Sequence, residues 1–132
     1  MNYLAVVVAA VATMVVGFLW YGPLFGKLWL KGMKFSAEQI KNMKKAGMQK
    51  SMPGMVVSAL LMSFVLAKLF EMFSITTIIG GATLVLWIWL GFCLTIQFGT
   101  VLWEGKSSTV FLVNSTYNLV NLLVLSTVLL IF

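Results

Sequence analysis

Asn114, Asn118 and Asn121 are separated by four and then three residues, a spacing that lays three carboxamides along one face of a helix. Cys93, Gln97, Thr100 and Glu104 repeat the pattern upstream, at intervals of four, three and four. Carboxamides and hydroxyls donate and accept hydrogen bonds, but they have no proton to exchange near neutral pH. The residue types that would add acid–base or metal chemistry are scarce: there is no histidine, Cys93 is the single cysteine, and the acids are Glu38, Glu71 and Glu104. Zinc ligation, a histidine-based triad and paired-carboxylate hydrolysis all lack their usual parts. The expectation is a protein without enzymatic activity, metal or cofactor. A lone cysteine also excludes an intrachain disulfide.

The elements that must carry these stripes follow from composition. Of 132 residues, 61% are hydrophobic and 9% charged, too little polarity to cover a water-soluble domain. Four apolar segments, at about 3–22, 53–73, 75–103 and 108–132, are each long enough for a helix to cross a bilayer's hydrocarbon layer. The sequence therefore reads as an all-α membrane protein, a single membrane domain over 1–132 with four transmembrane helices. Open strands would leave backbone groups unpaired in lipid, and the apolar runs do not alternate as barrel strands do. Tyr3 to Trp20 imitates a cleavable leader, with Ala10-Val-Ala12 as a small-residue site, but no lysine precedes it. It is expected to be retained as the first span.

The first connection, 23–52, carries Lys27, Lys31, Lys34, Lys41, Lys44, Lys45 and Lys50, and the third contains Lys106. Lysine bias places both on the cytoplasmic side and both termini outside. Within 23–52, Ser36 as N-cap, Gln39 at the third helical position and Phe35 against Ile40 predict a short amphipathic cytoplasmic helix ending near Gly47. Upstream, Lys27, Lys31 and Lys34 flank a Phe25, Trp29, Met33 stripe, the pattern of a segment lying in the interface. Lys27, Lys31, Lys34, Lys41, Lys44 and Lys45 then face lipid headgroups, anionic ones on the cytoplasmic side. The net charge of +6 does not imply nucleic acid, since no arginine is present for base readout.

Packing between spans is expected from small residues every fourth position: Ala5, Ala9, Thr13 and Gly17; Ala59, Ser63 and Ala67; Gly91, Thr95 and Gly99. Such ridges suit contacts within one chain or between copies. The polar face of Gln97, Thr100, Glu104, Asn114, Asn118 and Asn121 has two readings, interhelical hydrogen bonding or a polar path for a small solute. Glu104 is expected to pair with Lys27 or with Lys106 and so pin helix ends together. Trp20, Tyr21, Trp29 and Trp103 fit interfacial anchors, whereas Trp87 and Trp89, near mid-span, do not fit such a belt. Gly80-Gly81 suits a hinge or a close helix crossing.

Two stretches carry a resemblance. Trp20-Tyr-Gly-Pro-Leu-Phe-Gly-Lys-Leu-Trp29, and Glu104-Gly-Lys106 followed by Phe111-Leu-Val-Asn114 and Tyr117, resemble in order and spacing the two signatures of the bacterial family catalogued as domain of unknown function 1761. Gly22 stands where members commonly have Ser, and Asn118 where His is expected, so a proton-handling role does not carry over to that position. The resemblance implies a small polytopic membrane protein with no established activity. Together with the residues it gives the expectation of a non-enzymatic inner-membrane protein working through helix association, as a homo-oligomer or accessory subunit. The competing expectation is an oligomeric channel or transporter for a small solute or ion, lined by the third and fourth spans.

Overall fold

A computed structural model describes residues 2–33, 38–39, 41–42 and 52–132. Its regular elements are helices: α1 (Tyr3–Leu19), α2 (Gly26–Met33), α3 (Met52–Met72), α4 (Ile78–Ile88), α5 (Leu94–Trp103) and α6 (Ser108–Ile131). Two wide turns join pairs of them, Trp20–Leu24 between α1 and α2 and Trp89–Cys93 between α4 and α5. Four helical stretches, Tyr3–Leu24, Met52–Met72, Ile78–Trp103 and Ser108–Ile131, are long and apolar enough to cross a membrane. The chain thus has the make-up of a multi-pass membrane protein. The short helix expected near Ser36 and the lysines Lys34, Lys44 and Lys45 lie largely outside the described residues; 38, 39, 41 and 42 are helical.

The third span starts at Ile78 rather than at residue 75. Ser74 takes a left-handed conformation at φ 54°, and Thr77 caps the helix by accepting a hydrogen bond from the Gly80 N–H at 3.0 Å. The first span does not simply stop at Gly22-Pro23. Pro23 has no N–H to offer the carbonyl four residues back, and Gly22 leaves helical geometry at φ −102°, ψ −105°. The chain responds by widening one turn, so that the Phe25 N–H reaches back five residues to the Trp20 carbonyl at 2.9 Å. A Cβ at Gly26 would collide with the Tyr21 carbonyl, so the helix can resume as α2 only on a glycine.

The spans do not close into a symmetrical ring. The fourth span is the hub: α1, α2, α4 and α5 all pack on α6, and α3 rests mainly on α1. Contact between α1 and α3 runs along two of the small-residue ridges. Ala5, Ala9 and Thr13 are buried, and Ser63, fully buried, donates its hydroxyl to the Val6 carbonyl at 2.8 Å. Gly81 makes a close crossing, since a Cβ there would strike Leu130 and Ser126 of α6. The third ridge behaves differently. Gly91 and Thr95 are exposed, and a Cβ at Gly91 would meet nothing within 4 Å.

Apolar and polar packing occupy different halves of the molecule. The core cluster of Ala9, Leu66, Phe70, Val85, Leu122 and Leu125 lies toward the ends where α1 begins, α3 stops and α6 finishes. At that end the Asn2 side chain caps α1 by accepting from the Ala5 N–H at 3.2 Å, and donates to the Phe132 carbonyl at 3.0 Å. The opposite half, nearest the first and third connections, holds the ring cluster of Trp20, Tyr21, Phe25, Trp29 and Tyr117 together with Asn114.

Candidate functional site

Two indoles fix the fourth span from either side. Trp20, which opens the first wide turn, donates its Nε1–H to the Val113 carbonyl at 3.1 Å. Trp89, which opens the second, donates to the Ser115 carbonyl at 2.7 Å. In that second turn the Leu94 N–H again reaches back five residues, to the Trp89 carbonyl. Each wide turn shifts the helix face that follows, and each begins with the residue that reaches α6. Wide turns of this type recur at functional positions in helices, so their coincidence with both indole contacts marks this level of the molecule.

At this level the first aromatic stretch folds onto the second. Tyr21 donates its hydroxyl to Asn114 Oδ1 at 2.6 Å, and its ring meets Tyr117 edge-on at 5.0 Å and Trp29 at 5.6 Å. Trp20 lies 4.5 Å from Phe25 and 6.3 Å from Tyr117, centroid to centroid. The two edge-on contacts of Tyr21 stabilise beyond area burial by about 0.5–1.5 kcal/mol each, while the Trp20 pairs are tilted. Gly17 keeps room for the end of the ring: a Cβ there would stand 3.2 Å from the Tyr117 hydroxyl.

The cluster borders an open cleft of about 410 Å³, lined by Tyr21, Trp29, Gln97, Asn114, Tyr117 and Asn118. Gln97 from α5 and Asn114 and Asn118 from α6 thus share one cleft, where the two polar stripes meet. A second cleft, also about 410 Å³, lies between α1, α3 and α6, and Tyr117 and Asn118 line it as well. Its far end is Asn121, buried at 6% exposure, with Nδ2 donating to Met62 Sδ at 3.4 Å and Oδ1 lacking a hydrogen-bond partner.

Thr100 stands apart from this cleft. Its hydroxyl turns back onto the Gln97 carbonyl at 2.6 Å, and its own carbonyl accepts from the Glu104 and Lys106 N–H groups where α5 ends. Glu104 pairs with Lys106 at 3.5 Å across Gly105, which supplies a left-handed φ of 68°. The ion pair is therefore with its loop neighbour and not with Lys27. The reason is the direction of α2: its Gly32 end meets the loop, with Ser107 donating to the Gly32 carbonyl at 3.1 Å. Lys27 lies five residues back, about 7.5 Å along the axis, and is exposed. Both partners of the observed pair are well exposed, so it contributes little to stability.

The four aromatics expected as anchors divide. Trp20, Tyr21 and Trp29 are half-buried against the fourth span or one another, while Trp103 projects away from the protein at 88% exposure. Lys27, Lys31 and Lys41 are exposed. Tyr117 is the central residue that spacing alone passes over, although it follows Asn114 by three residues and so shares its face. Trp89 is the other, because a mid-span indole gives no sign of which carbonyl it will reach. Among the described residues, no group of three or more His, Cys, Asp or Glu side chains could hold a metal ion.

Comparison with curated proteins and with solved structures finds no match for this chain. Comparison with protein families does. The two aromatic stretches that build the cleft lie within the matched region, residues 4–130, and the chain belongs to the family described as protein of unknown function, DUF1761.

Proposed function

We infer that the chain is an integral membrane protein without enzymatic activity that acts through helix packing, as a homo-oligomer or as the accessory subunit of a membrane assembly. The observation that supports this reading is the outward face of the third span. Gly91, Thr95 and Gly99 lie one turn apart on it, beside exposed Phe92 and Ile96, and a Cβ at Gly99 would have only Trp103 near, at 3.9 Å. In lipid the gain from association is close packing rather than escape from water, and a small-residue groove permits the closest approach of a second helix. The setting we infer is the bacterial inner membrane. Lys27, Lys31 and Lys106 sit at the same end, which becomes the cytoplasmic face where anionic headgroups gather, and both termini lie outside.

The test is self-association in liposomes, read by energy transfer between labelled copies as lipid is added. The double variant Gly91→Leu with Gly99→Leu is expected to weaken association about tenfold while helix content is unchanged. A wild-type chain that stays monomeric at high protein-to-lipid ratio, alone and with its membrane extract, rejects the reading.

One observation favours a second reading, an oligomeric channel or transporter for a small solute or ion: Asn118 and Asn121 sit near mid-helix and line a cleft. Within one chain the route is closed by the apolar cluster around Leu122 and Leu125, so a path would need further copies. Cysteines placed at 97, 114, 118 and 121 in a Cys93→Ser background, challenged with a water-soluble thiol reagent, separate the readings. Uniform protection excludes a wet route.

A further inference from the structure

The cleft between α1, α3 and α6 has the features of a binding site for a ligand arriving from the lipid phase. It extends from Gly54, near the start of the second span, to Met62 and Asn121 near the middle of theirs. Eight residues of helix separate Gly54 from Met62, about 12 Å of cleft. The same half of each span contributes: Thr13 and Gly17 of the first lie between mid-helix and the first wide turn, and Tyr117 lies on the corresponding side of Asn121. Its far end is blind, because Leu66 and Leu122 belong to the buried apolar cluster beyond it.

Two features limit the ligand's chemistry. Among the described residues none that lines the cleft is charged, and an unpaired charge at that depth would be costly, so the ligand is neutral. The blind end carries a hydrogen-bond deficit. Asn121 is more than nine-tenths buried, its Oδ1 has no donor, and its Nδ2 is held only by a thioether, a weak acceptor. Met62 itself is unbranched and 43% exposed, so it can swing aside at small cost and bring the amide to the cleft. A hydroxyl in its place would donate to Oδ1 and accept from Nδ2 better than sulfur does. Ser58, Tyr117 and Asn118 offer further partners along the way.

The walls identify the body that carries this hydroxyl. Met14, Met55 and Met62 present three thioethers, and Gly17, Gly54 and Ala59 keep the remaining wall low. Polarizable sulfur adapts to a flat ring and makes favourable contacts with its edge, and low walls admit one. A volume of about 410 Å³ is within the range of small-molecule sites. We propose that this cleft binds a neutral, ring-bearing, hydroxyl-donating compound of the membrane phase, of the quinol class, with its hydroxyl on the Asn121 amide. The site does not depend on the self-association argued above, since it lies on spans other than the third.

The whole chain in lipid nanodiscs, with helix melting followed by circular dichroism, provides the test. Three probes share a ten-carbon chain: a decyl hydroquinone kept reduced, the corresponding quinone, and decanol. The quinol is expected to raise the melting temperature saturably, the quinone to need about tenfold more for half the effect because it cannot donate to Oδ1, and decanol to give no saturable shift. Asn121→Leu is expected to abolish the difference between quinol and quinone. Gly54→Leu, a position where a Cβ meets nothing within 4 Å, is expected to fold normally and to lose the quinol shift by filling the cleft. The proposal is overturned if the wild type shows no saturable shift with the quinol, if quinone or decanol matches it, or if Gly54→Leu keeps it in full. Should Asn121→Leu not fold, the Gly54 variant and the comparison of the three probes decide alone.

Discussion

The Tyr21 hydroxyl and the Asn114 carbonyl, 2.6 Å apart, join the first aromatic stretch to the second through one strong neutral hydrogen bond. Such bonds between helices in lipid are worth about 0.5–1.7 kcal/mol, since the separated helices find other partners. Tyr21→Phe keeps the edge-on ring contact and removes only the bond, so it should cost about 1 kcal/mol in reversible unfolding from mixed micelles. Asn114→Leu alone should cost a similar amount, and the double variant little more than either single one. Full additivity in that cycle would mean that the two groups are not coupled. Polar spacing made Asn114, Asn118 and Asn121 legible as one face, and Gln97 as part of another. It could not show that Tyr21 completes the first cleft, because an aromatic at the end of a span has the same composition whether it faces headgroups or a neighbouring helix. For Glu104 the sequence left two partners, Lys27 and Lys106; the glycine turn at Gly105 between Glu104 and Lys106 selects Lys106, not the common level of two distant helix ends.

For the helices, hydropathy gives length and leaves rotation about the axis open. Four helices long and apolar enough to cross a membrane were legible because a crossing helix needs about 20 apolar residues, and the third starts at Ile78, where Thr77 caps it. Three small-residue ridges looked equivalent in sequence, yet two pack inside the chain and the third turns outward. The wide turn at Trp89–Cys93 rotates everything after it, and no proline announces it. Gly91 of the third ridge can be compared with Gly81, a packed glycine of the same span outside the ridges. Gly81→Ala should destabilise by about 1–3 kcal/mol, because its methyl group meets Leu130 and Ser126 in a packed crossing. Gly91→Ala should leave unfolding unchanged or slightly raise stability, since its surroundings are open and alanine favours helix. Equal losses at both positions, in the same denaturation assay, would show that the third ridge is packed after all.

Across the whole molecule, the division into an apolar half and a polar half assigns stability and recognition to different residues. Leu125 is fully buried in the core cluster, and Leu125→Ala should cost about 2–4 kcal/mol through lost contacts and a cavity. Asn118, half-buried at the junction of the two clefts, should tolerate replacement by leucine within about 0.5 kcal/mol. Thermal melts of the two variants side by side check the division; a loss at Asn118→Leu as large as at Leu125→Ala would contradict it. The separation also explains why the fold was more legible than the site. Long apolar runs specify the core redundantly, whereas each cleft depends on where a few side chains from three helices come to rest.

The hydrogen bond from Asn2 to the Phe132 carbonyl brings the first and last described residues to within 3.0 Å of each other. A segment whose first and last residues meet in this way can be rewired without disturbing its packing. For the segment 2–132 taken alone, a linker of a few glycines and serines should join 132 to 2, and a break opened in the first connection would let the second span be made first and the first span last. Such a permutant should insert with the same four helices and the same melting temperature to within a few degrees. A permutant that inserts but melts far lower would mean that the order of synthesis, and not only the final contacts, determines how the first helix finds the fourth.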